Sequence, residues 1–183
     1  KKISYAMKKI HNFSPGKINF CQVCNSENIH EVLDLGHQPP CDNLLNLEDL
    51  DKKEISYPLK AKFCESCALV QISHLVDDKE LYYKDYPYLS GITSELVLHL
   101  NRLSIDMCHR FKISEKDLVI DIGSNDGTLL KGFKKQGCNV LGIEPTNVAK
   151  IAQNKGIPTL QEFFSKKIAL DIKKEHKNIK LIT

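Results

Sequence analysis

Two Cys-x-x-Cys pairs constrain the fold of this chain more than any other feature of its sequence. The first pair is Cys21 and Cys24, and the second is Cys64 and Cys67. Such a turn brings two sulfurs to one side of the backbone, and two turns complete a tetrahedral set of four sulfurs, the closed geometry of structural zinc. The pairs are 39 residues apart, more than the ~15–20 of a compact zinc ribbon. The intervening segment is therefore predicted to carry structure of its own.

Other interpretations of the cysteines stay open at this point. The thiols could be unrelated and buried, whereas a redox role fits less well because neither pair opens a helix after a strand. No apolar segment follows the basic N-terminus, so we expect a cytoplasmic protein, in whose reducing compartment paired cysteines are more often metal ligands than disulfides. Substitute zinc ligands could come from Cys41, His30, His37 and His74.

Composition narrows the class of protein. Hydrophobic residues make up 42% of the 183 residues and charged residues 27%, as in ordinary soluble globular proteins. No apolar run reaches the ~18 residues of a membrane span, and a net charge of +3 is too small to indicate a nucleic-acid partner. We therefore expect neither a membrane nor a nucleic acid as partner.

The sequence pattern changes at residue 116, where short apolar strands begin to alternate with helices. The predicted strands are 118–122, 139–143, 157–160 and 179–183, and the predicted helices are 128–136, 147–154 and 164–175. This alternation is typical of βαβ units and a parallel sheet, so the predicted fold class is α/β. A further helix is predicted at 93–111, capped by Thr93 or Ser94.

These patterns predict four regions. They are a lead-in at 1–17, a zinc-binding domain at 18–90, a connecting helix at 91–115 and a partial Rossmann-like domain at 116–183. The sequence stops inside the fourth predicted strand of the sheet, so we expect an N-terminal portion of a longer protein. The alternative is a chain that associates through the exposed edge of its sheet.

The first strand of the parallel sheet leads into a glycine-containing loop that favours a nucleoside ligand. Asp121 ends the strand, Gly123 lets the backbone approach a ligand without a Cβ clash, and Gly127 opens the next helix. Glu144 ends the second strand 23 residues after Asp121, where an acid can accept both hydroxyls of a ribose. A merely solvated acid is the alternative for Glu144.

The loop departs from the dinucleotide-binding pattern, which needs G-x-G-x-x-G. Here Gly123 and Gly127 are separated by three residues, including Asn125 and Asp126. Acids near the turn would repel phosphates, whereas they suit a ligand that carries ammonium and sulfonium charges. With Glu144-Pro145 after the second strand, the loop resembles that of the class I S-adenosylmethionine-dependent methyltransferases.

Over residues 18–183 the chain resembles the zinc-containing sugar C-methyltransferases, which methylate a carbon of a nucleotide-linked keto sugar. Besides the cysteine pairs, the resemblance rests on Leu35-Gly-His-Gln-Pro39, Asp85-Tyr-Pro-Tyr-Leu-Ser-Gly91, Asp121-Ile-Gly-Ser-Asn-Asp-Gly127 and Gly142-Ile-Glu-Pro145. It implies a small zinc-binding N-terminal domain followed by the first half of a class I methyltransferase Rossmann-like sheet, with S-adenosylmethionine and Zn²⁺ as cofactors.

The resemblance also implies roles for individual residues. Zinc would be held by Cys21, Cys24, Cys64 and Cys67. The methionine part of the cofactor would lie against Gly123, Ser124, Asn125 and Gly127, with Asp121 holding the loop. The ribose would bind Glu144, beside Pro145, and the adenine would lie between Gln161, Glu162 and Phe163. The sugar would approach Tyr86 and Tyr88, for which simple packing is the alternative.

No catalytic base is assigned within the sequence. The family's Glu-His pair, its general base, is expected beyond Thr183, so we expect residues 1–183 alone to be weakly active or inactive. His99 and His109 are interpreted as ordinary helix histidines. Lys131, Lys134 and Lys135 are interpreted as the solvated face of their helix.

Two other classes of protein stay open as hypotheses. The first is a non-catalytic zinc-binding module whose degenerate nucleoside-binding domain serves assembly. The second is a nicotinamide-dependent oxidoreductase, which shares the acid after the second strand but would need the missing middle glycine.

Overall fold

The structure is a computed structural model that describes residues 14–82 and 86–183. The chain divides into two compact units, with the boundary between Leu81 and Tyr82. Most of the expected lead-in, 1–13, lies outside the described residues. None of the helices within these two ranges combines the length and the hydropathy of a membrane span.

The first unit is built from two small antiparallel sheets. The larger sheet has the order β2-β3-β4, with β2 at Ile29–Gln38, β3 at Tyr57–Cys64 and β4 at Val70–Ile72. The smaller one pairs β1 (Gly16–Lys17) with β5 (His74–Leu75), and α1 (Asp78–Leu81) follows. The 39 residues between the cysteine pairs therefore contain two long strands and a 3₁₀ turn at Leu47–Asp49, which confirms that this segment carries structure of its own.

Few side chains of the first unit are buried. Among residues 14–81, the buried hydrophobic residues are Ile18, Cys21 and Cys64, joined by the polar Gln71 and Ser73. Nine of the ten residues of β2 are exposed. A core of this size stabilises little on its own, and small units of this kind usually depend on a metal or on disulfides.

The second unit contains a parallel sheet of four strands with the order β8-β7-β6-β9. A long helix, α2 (Ser94–Phe111), precedes the sheet. The strands are β6 (Leu118–Ile122), β7 (Asn139–Ile143), β8 (Thr159–Leu160) and β9 (Ile179–Ile182). The helices between them are α3 (Thr128–Lys135), α4 (Val148–Asn154) and α5 (Lys166–Glu175). The predicted α/β class and the parallel pairing are confirmed.

The sheet has a hydrophobic layer on each face because successive side chains of a strand point to opposite sides. One layer contains Val119 and Val140 with Leu130, Phe133, Ala152 and Ile157. The other contains Leu118, Ile120, Leu141 and Ile143 with Ile172 of α5. Burial on both faces explains why apolar residues follow one another without alternation in β6 and β7, as at Leu118–Ile120 and at Val140 and Leu141.

Several element ends differ from the prediction by one to two residues, because neighbouring groups serve as caps. The helix α5 starts at Lys166 rather than at 164, since the Ser165 hydroxyl accepts the N–H of Ile168 at 3.3 Å. The strand β8 starts at Thr159 rather than at 157, since the N–H of Ile157 donates to Ala152 and closes α4. Thr93 occupies the N-cap of α2 as predicted, but its side chain makes no capping hydrogen bond.

The helices α2 and α3 approach closely at Gly132. A Cβ added at Gly132 would lie 2.9 Å from the Cβ of Ser104 and closer still to its hydroxyl oxygen. Ser104 is completely buried, so it cannot move aside. The absence of a side chain at Gly132 therefore sets the distance between the two helices.

We predict that Gly132→Ala destabilises the second unit. Overpacking of a dense contact costs about 1–3 kcal/mol, which outweighs the ~1 kcal/mol that alanine gains over glycine in a helix. Urea unfolding followed by the helical circular-dichroism signal measures the change. The double variant Ser104→Gly/Gly132→Ala vacates the space and should recover part of the loss. A single variant as stable as the parent would contradict this account.

Candidate functional site

The four paired cysteines converge on one point of the first unit. The sulfurs of Cys21 and Cys67 are 3.5 Å apart, and those of Cys24 and Cys64 are 3.6 Å apart. All four sulfurs lie within 4.8 Å of one another. Zinc–sulfur bonds of about 2.3 Å in a tetrahedron place the sulfurs about 3.8 Å apart. The donor set therefore fits one Zn²⁺ with no position left open, which makes the metal structural.

The two cysteine turns have the same backbone geometry. In the first, Cys21 N–H donates to Ser26 O at 2.8 Å, and Asn25 N–H returns to Cys21 O at 2.9 Å. In the second, the corresponding bonds join Cys64 to Leu69 and Ala68 at 2.9 and 2.8 Å. Asn25 and Ala68 both adopt left-handed φ values, 62° and 60°. The second cysteine of each pair is thereby turned back toward the first.

A buried glutamine helps to hold the first turn in place. Gln71, on β4, accepts the N–H of Gln22 at 2.9 Å and donates to Phe20 O at 3.0 Å. The substitute ligands considered from the sequence do not join the cluster. His30 faces Glu65 at 3.4 Å, and Cys41 is exposed. His37 is exposed on β2, and the ring of His74 lies 5.8 Å from that of Tyr57.

Without a bound metal, the pKa values of Cys21 and Cys67 are shifted in opposite directions. Burial alone would raise the pKa of Cys21, but the N–H groups of Cys24 and Val23 and the neighbouring thiols lower it to about 6. The N–H of Leu69 lowers the pKa of Cys67, but the surrounding thiols and burial raise it to about 12. A divalent cation removes this conflict because it favours the thiolate of every ligand.

In the second unit, the loop after β6 and the residue after β7 meet at one edge of the sheet. The register pairs Asp121 with Gly142 and Ile122 with Ile143, so both strands end at the same level. The N–H groups of Gly123 and Ser124 both donate to Ile143 O, at 2.8 and 3.2 Å. This is the carboxyl edge, where open α/β sheets bind ligands.

The two glycines of the loop serve different purposes. Gly123 has φ +74° with nothing within 4 Å of an added Cβ, so this stretch of backbone is open to a ligand. Gly127 has φ +76°, and an added Cβ would lie 3.1–3.2 Å from Ile157 and Ala152. Gly127 is thus required by packing and by backbone conformation, whereas the space beside Gly123 is free.

Glu144 is buried and bonds the two adjacent loops. One carboxylate oxygen accepts the N–H of Asn125 at 3.0 Å, and the other accepts the N–H of Thr146 at 2.9 Å. Its side chain is 5% exposed, so the alternative of a merely solvated acid is wrong. Each carboxylate oxygen has a second lone pair that these bonds leave open.

Asp121 has a different environment from the one expected. Its Oδ1 accepts the hydroxyl of Thr183 at 3.1 Å, whereas the loop N–H is held by Glu144. Burial raises the pKa of Asp121, the Thr183 hydroxyl lowers it, and the nearby Glu144 charge raises it again, with a net upward shift.

Asp126 is fully buried and ion-paired, which the sequence did not reveal. Its carboxylate accepts Lys155 Nζ at 2.8 Å and the Thr128 hydroxyl at 2.6 Å. Burial alone would raise the pKa of Asp126, but Lys155 and Thr128 together lower it. The expectation that Asp126 repels phosphates is therefore weakened, because Lys155 neutralises its charge.

The remaining predicted residues are placed around this edge or outside it. Gln161, Glu162 and Phe163 follow β8 and are exposed, and Pro145 is half-buried. Tyr88 is 45% exposed, and the ring of Tyr86 lies 6.0 Å from that of Tyr82. His99, His109, Lys131, Lys134 and Lys135 are all exposed on their helices, as interpreted from the sequence.

Two buried polar atoms near this edge have no hydrogen-bond partner within the described residues. They are Ser124 Oγ and Asn147 Oδ1. Ser124 Oγ lies over the Cα of Gly142, where an added Cβ would collide with it and would lie 2.9 Å from Thr159 Oγ1. A buried hydroxyl without a hydrogen-bond partner costs free energy. The Ser124 hydroxyl lies beside the candidate ligand site, where a bound ligand would supply the missing partner.

The chain thus combines a unit with a four-cysteine metal site and a unit with a parallel α/β sheet. Residues 21–82 match the family described as "Putative zinc binding domain". Over 167 residues, 90% of this chain, the sequence is 29% identical to C-methyltransferase NovU of Streptomyces niveus. These matches support the resemblance found in the motifs: the chain is similar to a C-methyltransferase over most of its length, and its N-terminal region matches a zinc-binding domain.

The matches cover only part of each relative. The chain spans 39% of the length of NovU. Among solved structures, coclaurine N-methyltransferase bound to N-methylheliamine and SAH matches 56% of this chain and 25% of its own. Its identity is 16% and its TM-score 0.28, so the fold assignment rests on the strand order of this chain itself.

We predict about one Zn²⁺ per chain and its loss in Cys64→Ser. Removing one thiolate opens the four-sulfur site, and the small core of the first unit cannot compensate. Elemental analysis after dialysis measures the metal, and circular dichroism follows the unit. Cys41→Ser, at an exposed cysteine outside the cluster, is the matched control and should keep its metal. Full metal content in Cys64→Ser would refute the site.

Asp121→Asn and Asp126→Asn should change stability in opposite directions at pH 7. The folded pKa of Asp121 is raised, so its charge destabilises the fold above that pKa and the amide relieves this. The folded pKa of Asp126 is lowered, so its charge stabilises the fold above the unfolded pKa, and its removal costs about 1.5–3 kcal/mol. Urea unfolding measures both changes.

The pH dependence distinguishes the two carboxyl groups further. In the parent, the contribution of Asp121 to the free energy of unfolding falls as pH rises through its raised pKa. The contribution of Asp126 is lost as pH falls through its lowered pKa. Asp121→Asn removes the first dependence only. Equal effects of the two variants at pH 7 would contradict these assignments.

Proposed function

We propose that the chain is part of an S-adenosylmethionine-dependent C-methyltransferase that acts on a nucleotide-linked 4-keto sugar. The observation that supports this most is the buried Glu144 at the carboxyl edge of a parallel sheet, facing a glycine loop, in a relative of a C-methyltransferase. A zinc-binding unit in the same chain adds to the support.

The residues at the edge fit S-adenosylmethionine. Glu144 has lone pairs left to accept the hydroxyls of a ribose, beside Pro145. Gly123 offers open backbone, and Ser124 has a hydroxyl without a partner. Gly127 and Asn125 shape the rest of the loop for the methionine part. The adenine would lie against the exposed residues Gln161, Glu162 and Phe163.

Charge at this edge favours a cationic cofactor over a phosphate. Asp126 is neutralised by Lys155, so the negative charge at this edge comes from Glu144 and Asp121. Both are buried at the same edge, and the proximity of their charges contributes to the raised pKa of Asp121. S-adenosylmethionine would supply a methyl group on a positively charged sulfur, which such an edge attracts.

The acceptor chemistry assigns the remaining roles. A base would remove a proton from the carbon next to the ketone, and bound S-adenosylmethionine would supply the methyl group to that carbon, its sulfur leaving as a neutral thioether when the sulfur–methyl bond breaks. Tyr86 and Tyr88 are proposed to contact the sugar. His99 and His109 are exposed on α2, and we assign the role of base to neither. Zinc would hold the first unit together without taking part in the reaction. The proposed setting is carbohydrate biosynthesis in the cytoplasm.

We expect S-adenosylmethionine, or its demethylated product, to bind this chain in a calorimetric titration. Glu144→Ala should weaken binding at least about tenfold, because a bidentate bond to the ribose is worth about 1.5–3 kcal/mol. Glu175→Ala removes an exposed acid on α5 and is the control. Since Glu144 also supports the loop, each variant is checked by thermal unfolding first.

Two outcomes of the titration would contradict the proposal. One is tight binding of NAD in place of S-adenosylmethionine, which would favour an oxidoreductase. The other is the absence of S-adenosylmethionine binding both in this chain and in a longer natural form of it, which would favour a non-catalytic zinc-binding module.

A further inference from the structure

The side chain of Asn125 is bonded to backbone rather than open to the candidate cofactor site. Its Oδ1 accepts the N–H of Ser90 at 2.8 Å, and its Nδ2 donates to the carbonyl of Tyr88 at 3.1 Å. Asn125 is 8% exposed. The amide thus pairs with residues 88–90 as a neighbouring strand would, using one donor and one acceptor.

The backbone of Asn125 is held from the other side by Glu144. Its N–H donates to the Glu144 carboxylate at 3.0 Å. Its φ is +50°, a left-handed conformation that asparagine tolerates better than most residues. Asn125 therefore forms a continuous connection from the acid proposed for the ribose to the segment that carries Tyr88.

Residues 88–91 make a second contact with the loop, at Gly91. A Cβ added at Gly91 would lie 2.5 Å from Asp126 Oδ2 and 3.0 Å from Thr128 Oγ1. The backbone at Gly91 is thus in close contact with two buried residues at the start of α3. Asp126 is in turn held by its hydrogen bond from Lys155, so the side chain that Gly91 contacts is fixed in place.

We propose that Asn125 is a positioning residue that couples occupancy of the cofactor site to the placement of residues 88–91. This inference rests on the proposed function and assigns Asn125 a role toward the acceptor segment. A cofactor that binds Glu144 would fix its carboxylate, and through Asn125 it would hold the backbone of Tyr88 and Ser90. The cofactor would then order the segment before the acceptor binds.

Hydrogen exchange of the peptide 86–92 tests this coupling. In the unliganded chain, Asn125→Asp should speed exchange there about tenfold, because the carboxylate keeps the acceptor for Ser90 but replaces the donor to Tyr88. Asp also tolerates the left-handed backbone. The matched control is Asn139→Asp, which removes a comparable bond from Nδ2 to Glu115 O and should leave the peptide unchanged.

Saturating S-adenosylmethionine provides the second arm, with saturation established by titration of each variant. In the parent, the cofactor should slow exchange of 86–92, and in Asn125→Asp this slowing should disappear. A purely structural role would instead speed exchange in both states and leave the cofactor-induced ratio unchanged, and that result would overturn the proposal. Identical exchange of 86–92 in Asn125→Asp and the parent would overturn it as well.

Two further measurements keep the test decisive. If Asn125→Asp also exposes peptides of β6 and β7, Gly91→Ala displaces the same segment through its separate contact with Asp126 and should give the same loss of coupling. If neither the parent nor a longer natural form of it binds S-adenosylmethionine, the proposed function fails, whereas the exchange of 86–92 in the unliganded variants still decides whether Asn125 holds the segment.

Discussion

The buried carboxylate of Glu144 is the interaction on which the organisation of the carboxyl edge depends. Two loops end at this edge, and each has an N–H that needs an acceptor away from water. Glu144 serves both, through Asn125 and Thr146. Because Asn125 is fixed in this way, its side chain can in turn hold the backbone at 88–90. One acid thus organises three stretches of chain that are far apart in sequence.

The first unit depends on a different kind of force. Its sheet leaves most of β2 exposed, so hydrophobic burial contributes little to its stability. The two cysteine turns have matching hydrogen bonds and matching left-handed residues, and together they present four sulfurs to one ion. The free energy of metal binding therefore takes the place of a core. The second unit has packed layers on both faces of its sheet and needs no such support.

Local patterns could be predicted from the sequence, and long-range polar contacts could not. β6 and β7 were predicted with their exact ends because strands buried on both faces are continuous apolar runs. The four sulfurs followed from spacing alone. Asn125 bonds to a residue 35 positions earlier, and Asp126 pairs with a lysine 29 positions later. Hydrogen bonds between residues so far apart do not alter the hydrophobic periodicity of a sequence. From the sequence, Asp126 is therefore expected to be an unpaired charge.

The antiparallel register of β2 and β3 links strand pairing to zinc binding in the first unit. Ile29 lies opposite Cys64, so formation of this hairpin by itself brings the second cysteine turn beside the segment that follows the first. Strand pairing and zinc binding therefore close the same long loop, and each offsets part of the entropy that the other must overcome. Zinc binding and the pairing of β2 with β3 would then stabilise each other, so that loss of either weakens both.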